Sequence, residues 1–367
     1  MNNNLLHRVA LTLVPHIGAV QARILIDHFG DPSVIFKAKK TTLELLDGIG
    51  SVRARSIKEF SAFKRAEEEL AFIDKYKITP LFLTDDRYPR RLLNCYDPPV
   101  MLYYRGKADL NTSKIIAVVG TRSKTDYGRH ITEKLVADLE EQQVLVISGL
   151  ALGIDATAHK AALKHSLPTV AVLAHGLDKI YPPEHTLLAK DILTKNGGLL
   201  TEFMSKTKPD KHNFPSRNRV VAGMSDATIV VETDIKGGSM ITAELAAGYN
   251  RDVFAFPGRI TDNKSAGCNH LIKNNKAILL TSAADIIDIL GWADKKTSPL
   301  KKQKELFIQL SMDEKKIVDV LKEKEPASID ELRQKTCLSS SVLAAAILNL
   351  ELQNVLAALP GKLYKLL

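Results

Sequence analysis

In the stretch KTKPDKHNFPSRNRVVAGMSD (206–226), the part from Lys206 to Arg219 carries Lys206, Lys208, Lys211, Arg217 and Arg219 against one acid, Asp210, with His212 and Phe214 interleaved. Cations neutralise phosphates and an aromatic face stacks on an unpaired base, so this composition suits single-stranded nucleic acid. The bland alternative is a solvated basic loop with Phe214 buried. Two further stretches suit anions. In VVGTRSKTDYG (118–128), Gly120 lets the chain turn over a strand end, Thr121 and Ser123 offer hydroxyls, and Arg122 and Lys124 offer cations. A helix starting near Tyr127 would add backbone amides and a positive dipole. GxGxxG and Gly-Lys-Ser/Thr are both absent, so this is neither a dinucleotide fingerprint nor a P-loop. Gly237, Gly238 and Ser239 before a helix, with Thr242 in its first turn and Glu244 beyond, form a second cradle. Arg259 and Lys264 lie at another strand end. Two cradles beside one basic loop fit a polyphosphate track better than one small ligand.

In SGLALGIDATAH (148–159), Ser148 and Gly149 fall where a ligand would lie. Asp155 and His159 are four apart and could share a helical face as an acid/base pair or half a metal site. No third ligand is evident, and an Asp in a first helical turn favours the dipole, so both are read as structural. Neither a metal nor a cofactor is expected. Cys95, Cys268 and Cys337 are far apart and lack a CxxC pair, which fits a reducing, cytoplasmic compartment. The apolar stretch LLHRVALTLV is interrupted by His7 and Arg8 and reads as a core helix rather than a leader. No apolar run reaches the roughly 18 residues of a membrane span, so no membrane association is expected. Lys plus Arg number 51 against 42 Asp plus Glu, a formal charge of +9, which favours a polyanionic partner.

The elements that must position these residues fall into three regions. Residues 1–75 are helical in period, with apolar positions Ile24, Leu25, Phe29, Leu43, Leu45, Leu46 and Ile57. HIGAVQARIL (16–25) and GIGSVRARSI (48–57) repeat an apolar-Gly step followed by Ala and an apolar residue, which resembles a helix-hairpin-helix (SAM-like) pair. Such a pair either meets a nucleic-acid backbone or serves as a packing scaffold. Residues 76–290 carry short Val/Ile-rich runs, IIAVV, VLVIS, TVAVLA, GLLT, ATIVV, VFAF and AILL, whose starts fall 24 to 29 residues apart from 115 onward. Strands buried on both faces with one helix between them make an α/β doubly wound sheet, with ligands at the carboxyl ends. Residues 76–110 are expected to add edge strands. A lysine-rich linker (291–305) leads to residues 306–367, three helices and a hairpin turned at Pro360-Gly361, a winged-helix pattern. Its third helix has no Lys or Arg between Ser339 and Gln353, which favours a protein contact over duplex reading.

VGTRSKTDYG, SGLALGIDATAH, GLDKIYPPEH, FPSRNRVVAG, GGSMITAELA and FPGRITDNKSAGCNHLI, in this order, resemble the DNA-processing protein A (DprA/Smf) family. The resemblance implies an extended Rossmann-like fold and a cytoplasmic homodimer that binds single-stranded DNA. It also implies protection of incoming DNA and loading of the RecA recombinase in natural transformation. Carried over position by position, it implies a DNA pocket of Arg122, Lys211, Phe214, Arg217, Asn218 and Arg219. With the strand-end residues Gly120, Thr121, Lys124, Ser148, Gly149, Gly238, Ser239 and Thr242, these make up the expected site. Two departures from the family pattern are Asn275-Lys276-Ala277 and Thr201-Glu202. The alternative is a nucleotide-processing enzyme of the LOG (lysine-decarboxylase-like) type, with Glu244 at the Gly-Gly loop. That spacing differs, and no acid/base pair can be assigned.

Overall fold

The computed structural model describes residues 3–293, 310–353, 355–359 and 363–366. The chain divides into two compact units, Met1–Ala293 and Asp294–Leu367. The linker and the Pro360-Gly361 turn lie largely outside the described residues.

The first unit opens with six helices: α1 (Asn3–Leu11), α2 (Ala19–Phe29), α3 (Pro32–Lys37), α4 (Lys40–Glu44), α5 (Gly50–Lys58) and α6 (Phe63–Lys75). Gly18 caps α2 and Gly50 begins α5, the positions at which the repeat predicts a turn into a helix. Leu25, Leu43 and Ile57 are buried as the apolar period requires, but Leu45 is 85% exposed. It caps the five-residue α4 at a turn, where helical period no longer decides its direction.

The chain then alternates strands and helices: β1 (Thr79–Phe82), α7 (Arg90–Leu93), β2 (Met101–Gly106), β3 (Ile115–Val119), α8 (Asp126–Asp138), β4 (Leu145–Ser148), α9 (Ile154–Lys164), β5 (Thr169–Val172), α10 (Thr186–Thr194) and β6 (Gly198–Thr201). There follow α11 (Asn213–Met224), β7 (Ala227–Val230), α12 (Gly238–Gly248), β8 (Asp252–Ala255), α13 (Ala266–Lys273), β9 (Ile278–Leu279) and α14 (Ala283–Ile289). The nine strands form one sheet in the order β1-β2-β6-β5-β4-β3-β7-β8-β9. From β6 to β9 every pairing is parallel, while β1 with β2 and β2 with β6 are antiparallel. The run β5-β4-β3-β7-β8-β9 has the strand order of doubly wound nucleotide-binding sheets, extended at one edge.

Alternation along β3 shows why both faces are covered. Ile115, Ala117 and Val119 join one core with Val220 and Met224 of α11 and Ala243 and Ala246 of α12. Ile116 and Val118 join the other, with Leu135 and Val136 of α8 and Ala158 of α9. The N-terminal helices belong to the first core, where Val9, Leu25, Ile57 and Ile73 are continuous with Leu81, Leu102 and Tyr103. Polar ties reinforce the join: Arg8 pairs with Asp85 at 2.6 Å, and Glu69 accepts from Ser205 N at 2.9 Å.

In the second unit, α15 (Met312–Glu323), α16 (Ile329–Thr336) and α17 (Ser340–Leu352) pack with β10 (Ala327–Ser328), β11 (Leu356–Leu359) and β12 (Leu363–Leu366). The strands pair antiparallel in the order β10-β12-β11, the arrangement of a winged helix. Ser328 and Glu331 form the expected capping box, with Glu331 N donating to Ser328 Oγ at 3.2 Å and Ser328 N to the Glu331 carboxylate at 3.0 Å.

Candidate nucleic-acid interface

At β3 the strand order reverses: the chain builds outward through β4, β5 and β6, then crosses back to β7 on the other side. The loops after β3 and β7 therefore leave towards opposite faces and open a crevice at the carboxyl ends. Gly120, Thr121, Arg122, Gly149, Phe214, Arg217, Asn218, Gly238, Ser239 and Thr242 all line it, together with Asp155 and Asp234. Ten of the fourteen expected positions thus meet in one trough.

The basic stretch is not a loop beyond residue 212. From Asn213 it is helix α11, and the period of that helix sorts its side chains. Phe214, Arg217, Asn218 and Val221 are spaced i, i+3, i+4, i+7 and face the crevice. Arg219 is about 200° round the helix from Arg217, at 100° per residue, and leaves on the far side. There its guanidinium donates to Glu202 and to the Asp97 carbonyl, half-buried with them. Glu202 is raised above the carboxylate range by burial, with Arg219 opposing. The structure therefore does not bring Arg219 to the trough. Ser148 is fully buried, and its hydroxyl donates to the Val118 carbonyl at 2.6 Å, cross-linking β4 to β3. Lys124 and Lys211 are exposed outside the trough lining, with no ion-pair partner among the described residues.

The floor is a buried charge pair built around a missing side chain. Arg217 is 7% exposed and Asp155 6% exposed. Arg217 donates to the Val172 carbonyl at 2.8 Å, and Asp155 accepts from Ala151 N at 3.2 Å. A Cβ on Gly149 would lie 1.9 Å from the Arg217 guanidinium and 2.4 Å from the Asp155 carboxylate, so only glycine lets the two close over it. Burial raises the Asp155 pKa, with the Arg217 charge opposing. Burial likewise works against the Arg217 charge, which Asp155 supports, and a guanidinium keeps its proton. Gly153, at φ +84°, brings the chain within reach of the Thr121 carbonyl before α9.

His159 stands behind Gly149, fully buried, with Nε2 2.6 Å from the Gly149 carbonyl and Nδ1 2.7 Å from the Thr169 hydroxyl. Burial pushes its pKa down to about 4, so the ring is neutral. Nε2 faces an oxygen that can only accept, so it carries the hydrogen. His159 and Asp155 do not touch as an acid/base pair; each holds a different part of the Gly149 loop. No group of three or more His, Cys, Asp or Glu among the described residues could hold a metal ion.

The two cradles differ. At the α8 N-terminus the anion site is already filled by Glu232, a fully buried residue at the end of β7. Glu232 accepts from Thr125 N at 3.0 Å and from the Thr125 hydroxyl, and Thr125 caps the helix through Gly128 N at 3.1 Å. At the α12 N-terminus Gly238 has nothing within 4 Å of where its side chain would be. Asn218 Nδ2 reaches the Gly238 carbonyl at 3.4 Å and fixes α11 against this open end. Glu244 lies elsewhere, exposed and paired with Lys276 at 3.5 Å, so the carboxylate that a hydrolytic reading needs is not in the trough.

Beside the trough lies an apolar chamber the sequence reading missed. Leu150, Leu152, Val172, Tyr181, Pro182 and Phe214 line it, with His175. Its contributors sit in the blocks SGLALG and GLDKIYPPEH, whose apolar residues gave no signal as a wall. Arg122, Ala151, Phe214 and Arg217 border both chamber and trough. At that border the exposed Arg122 guanidinium lies 5.1 Å from the centroid of the half-buried Phe214 ring. A flat cation on an aromatic face is a surface that a base and a phosphate can both use.

A family model described as DNA recombination-mediator protein A matches residues 79–291, and a DprA winged helix domain model matches 305–362. Protein Smf of a Synechocystis strain is 31% identical over 399 residues, covering 99% of each chain. DNA processing protein DprA of Streptococcus pneumoniae is 42% identical over 211 residues, 58% of this chain and 74% of that one. The X-ray structure of DprA from Streptococcus pneumoniae matches with TM-score 0.66 at 30% identity, covering 78% of this chain and 98% of the other. DNA processing protein A from Helicobacter pylori, described for its single-stranded DNA binding mode, matches with TM-score 0.53 at 31% identity, covering 59% and 96%. The family model for the sheet runs from β1 to the end of α14 and so contains the whole trough. By that match and the full-length likeness to Smf, the chain belongs to the DNA-processing protein A (DprA/Smf) family.

Proposed function

We propose that the trough and chamber bind single-stranded DNA, with backbone phosphates along Gly120–Arg122 and the open α12 N-terminus, and a base against Phe214. The observation that carries this is the Arg122–Phe214 stack at the border of a polar trough and an apolar chamber. The Helicobacter pylori relative's described single-stranded DNA binding supports it. A duplex cannot offer an unstacked base to such a chamber, so binding should favour single strands. Lys124 and Lys211 stand at the approaches and act as long-range phosphate contacts. Arg217 belongs to the floor, and Arg219 acts through the fold.

The wider role we infer from family membership is that of a cytoplasmic homodimer that shields incoming single strands and loads the RecA recombinase in natural transformation. We take the chain as a helical segment (1–75), a DNA-binding sheet (76–290), a linker (291–305) and a winged helix (306–367). The winged helix serves a protein contact, because the exposed face of α17 presents Val342, Leu348 and Leu352 and no cation.

Fluorescence anisotropy with a labelled oligothymidylate and the matching duplex tests the reading. Phe214→Ala should cost about 1–3 kcal/mol on single strands. Equal affinity of parent, Phe214→Ala and Arg122→Ala would remove the site.

A further inference from the structure

The loop after β8 lies one strand beyond the crevice on the same rim, roughly 5 Å further along the sheet. It joins the crevice through the neighbouring loop: Gly267 N donates to the Thr233 carbonyl at 2.9 Å, and the Tyr127 hydroxyl donates to the Pro257 carbonyl at 2.9 Å. Residues 258–265 are held by their own bonds. Asn269 clamps Gly258 through both its N–H, at 3.2 Å, and its carbonyl, at 3.0 Å. Asp262 N donates to the Arg259 carbonyl at 3.1 Å, and the Asp262 carboxylate accepts from Lys264 N at 2.9 Å and Ser265 Oγ at 3.3 Å.

The acid of this loop is thus used internally, with the buried Ser265, while Arg259, Ile260, Thr261 and Asn263 are exposed. Ile260 is 95% exposed. Arg259 beside it is exposed and Lys264 half-buried, and neither has an ion-pair partner among the described residues. Next to them the crevice loop carries Ile235, 52% exposed, and the exposed Lys236, with Asp234 as the one exposed acid. A lone exposed isoleucine needs no explanation. An isoleucine held almost wholly in solvent by a braced turn, between unpaired cations, is a preorganised contact that loses little entropy on binding.

We propose that this loop is a second contact for the bound strand, with Ile260 against a base and Arg259 and Lys264 on the flanking phosphates, so that the strand leaves the crevice across β7 and β8. The proposal rests on the crevice reading, and the test separates the two. The full chain is titrated with oligothymidylates of about 4 nucleotides, enough for the crevice alone, and about 30 nucleotides. Ile260→Ser with Arg259→Ala should weaken the long strand about fivefold or more and leave the short one unchanged. Phe214→Ala should weaken both. Three results would overturn the second contact: an unchanged long strand, equal losses on long and short strands, or a shift in assembly state by size exclusion that accounts for the loss. The crevice reading fails separately, if Phe214→Ala binds the short strand like the parent.

Discussion

At the α8 N-terminus the anion site is occupied by the chain's own Glu232, whereas at the α12 N-terminus it is open at Gly238. Both follow parallel strands next to each other in the sheet, and both carry a Gly-Thr or Gly-Ser turn. The difference lies in what the neighbouring strand end contributes. Beyond β7, residue 232 is a glutamate that turns back under α8, while no described carboxylate closes over Gly238. A helix N-terminus marks where a negative charge is welcome, and only packing decides whether the protein has supplied it. The same division separates His159, whose nitrogens both have partners inside, from Arg122, which lies over Phe214 and has no ion-pair partner among the described residues.

The inward-facing groups should govern stability. Between pH 6.5, where an unfolded histidine titrates, and about 4, where His159 does, the unfolded chain binds the extra proton. Stability supplied by the neutral ring is present above pH 6.5 and is lost as pH falls through about 4, a loss of about 3 kcal/mol at its limit. Urea melts at descending pH check this, and His159→Asn should flatten the difference. Glu232→Ala should destabilise by about 1.5–3 kcal/mol, because it strips the Thr125 N–H of a charged acceptor. Its refolded fraction should still bind oligothymidylate, and a loss of binding by well-folded protein would show that the two cradles act together. The open side should govern binding. Gly238→Glu places a carboxylate where a phosphate is expected and should weaken single strands about tenfold, near 1.4 kcal/mol, with an unchanged melting curve. Lys124→Ala should have the smallest effect, flattening the log–log salt dependence of binding by about 0.7.

The sheet was legible because each buried strand is a short unbroken apolar run and the interval leaves room for one helix. The trough was legible because glycines and hydroxyls mark strand ends. Arg219 could not be placed while the stretch read as a loop, since the difference between Arg217 and Arg219 exists only once a helical period is imposed. Ser148 looked like a ligand contact because it ends a strand, yet its side chain turns inward to bond Val118. Glu232 gave no signal of its own, because its role depends on α8 arriving over it. The chamber walls are apolar residues in glycine-rich motifs, and a wall in a loop has no periodicity to betray it.

Strand β2 sits between β1 and β6, with Tyr103 opposite Thr201. A ribosome adding about 5–20 residues per second needs roughly 5 to 20 seconds to make the stretch between them. For an interval of that length after β2 emerges, the β1–β2 pair stands with the edge that β6 will later cover unpaired. Expression at low temperature, or with a holdase present, is therefore the condition under which the nascent chain has most protection from edge-to-edge association.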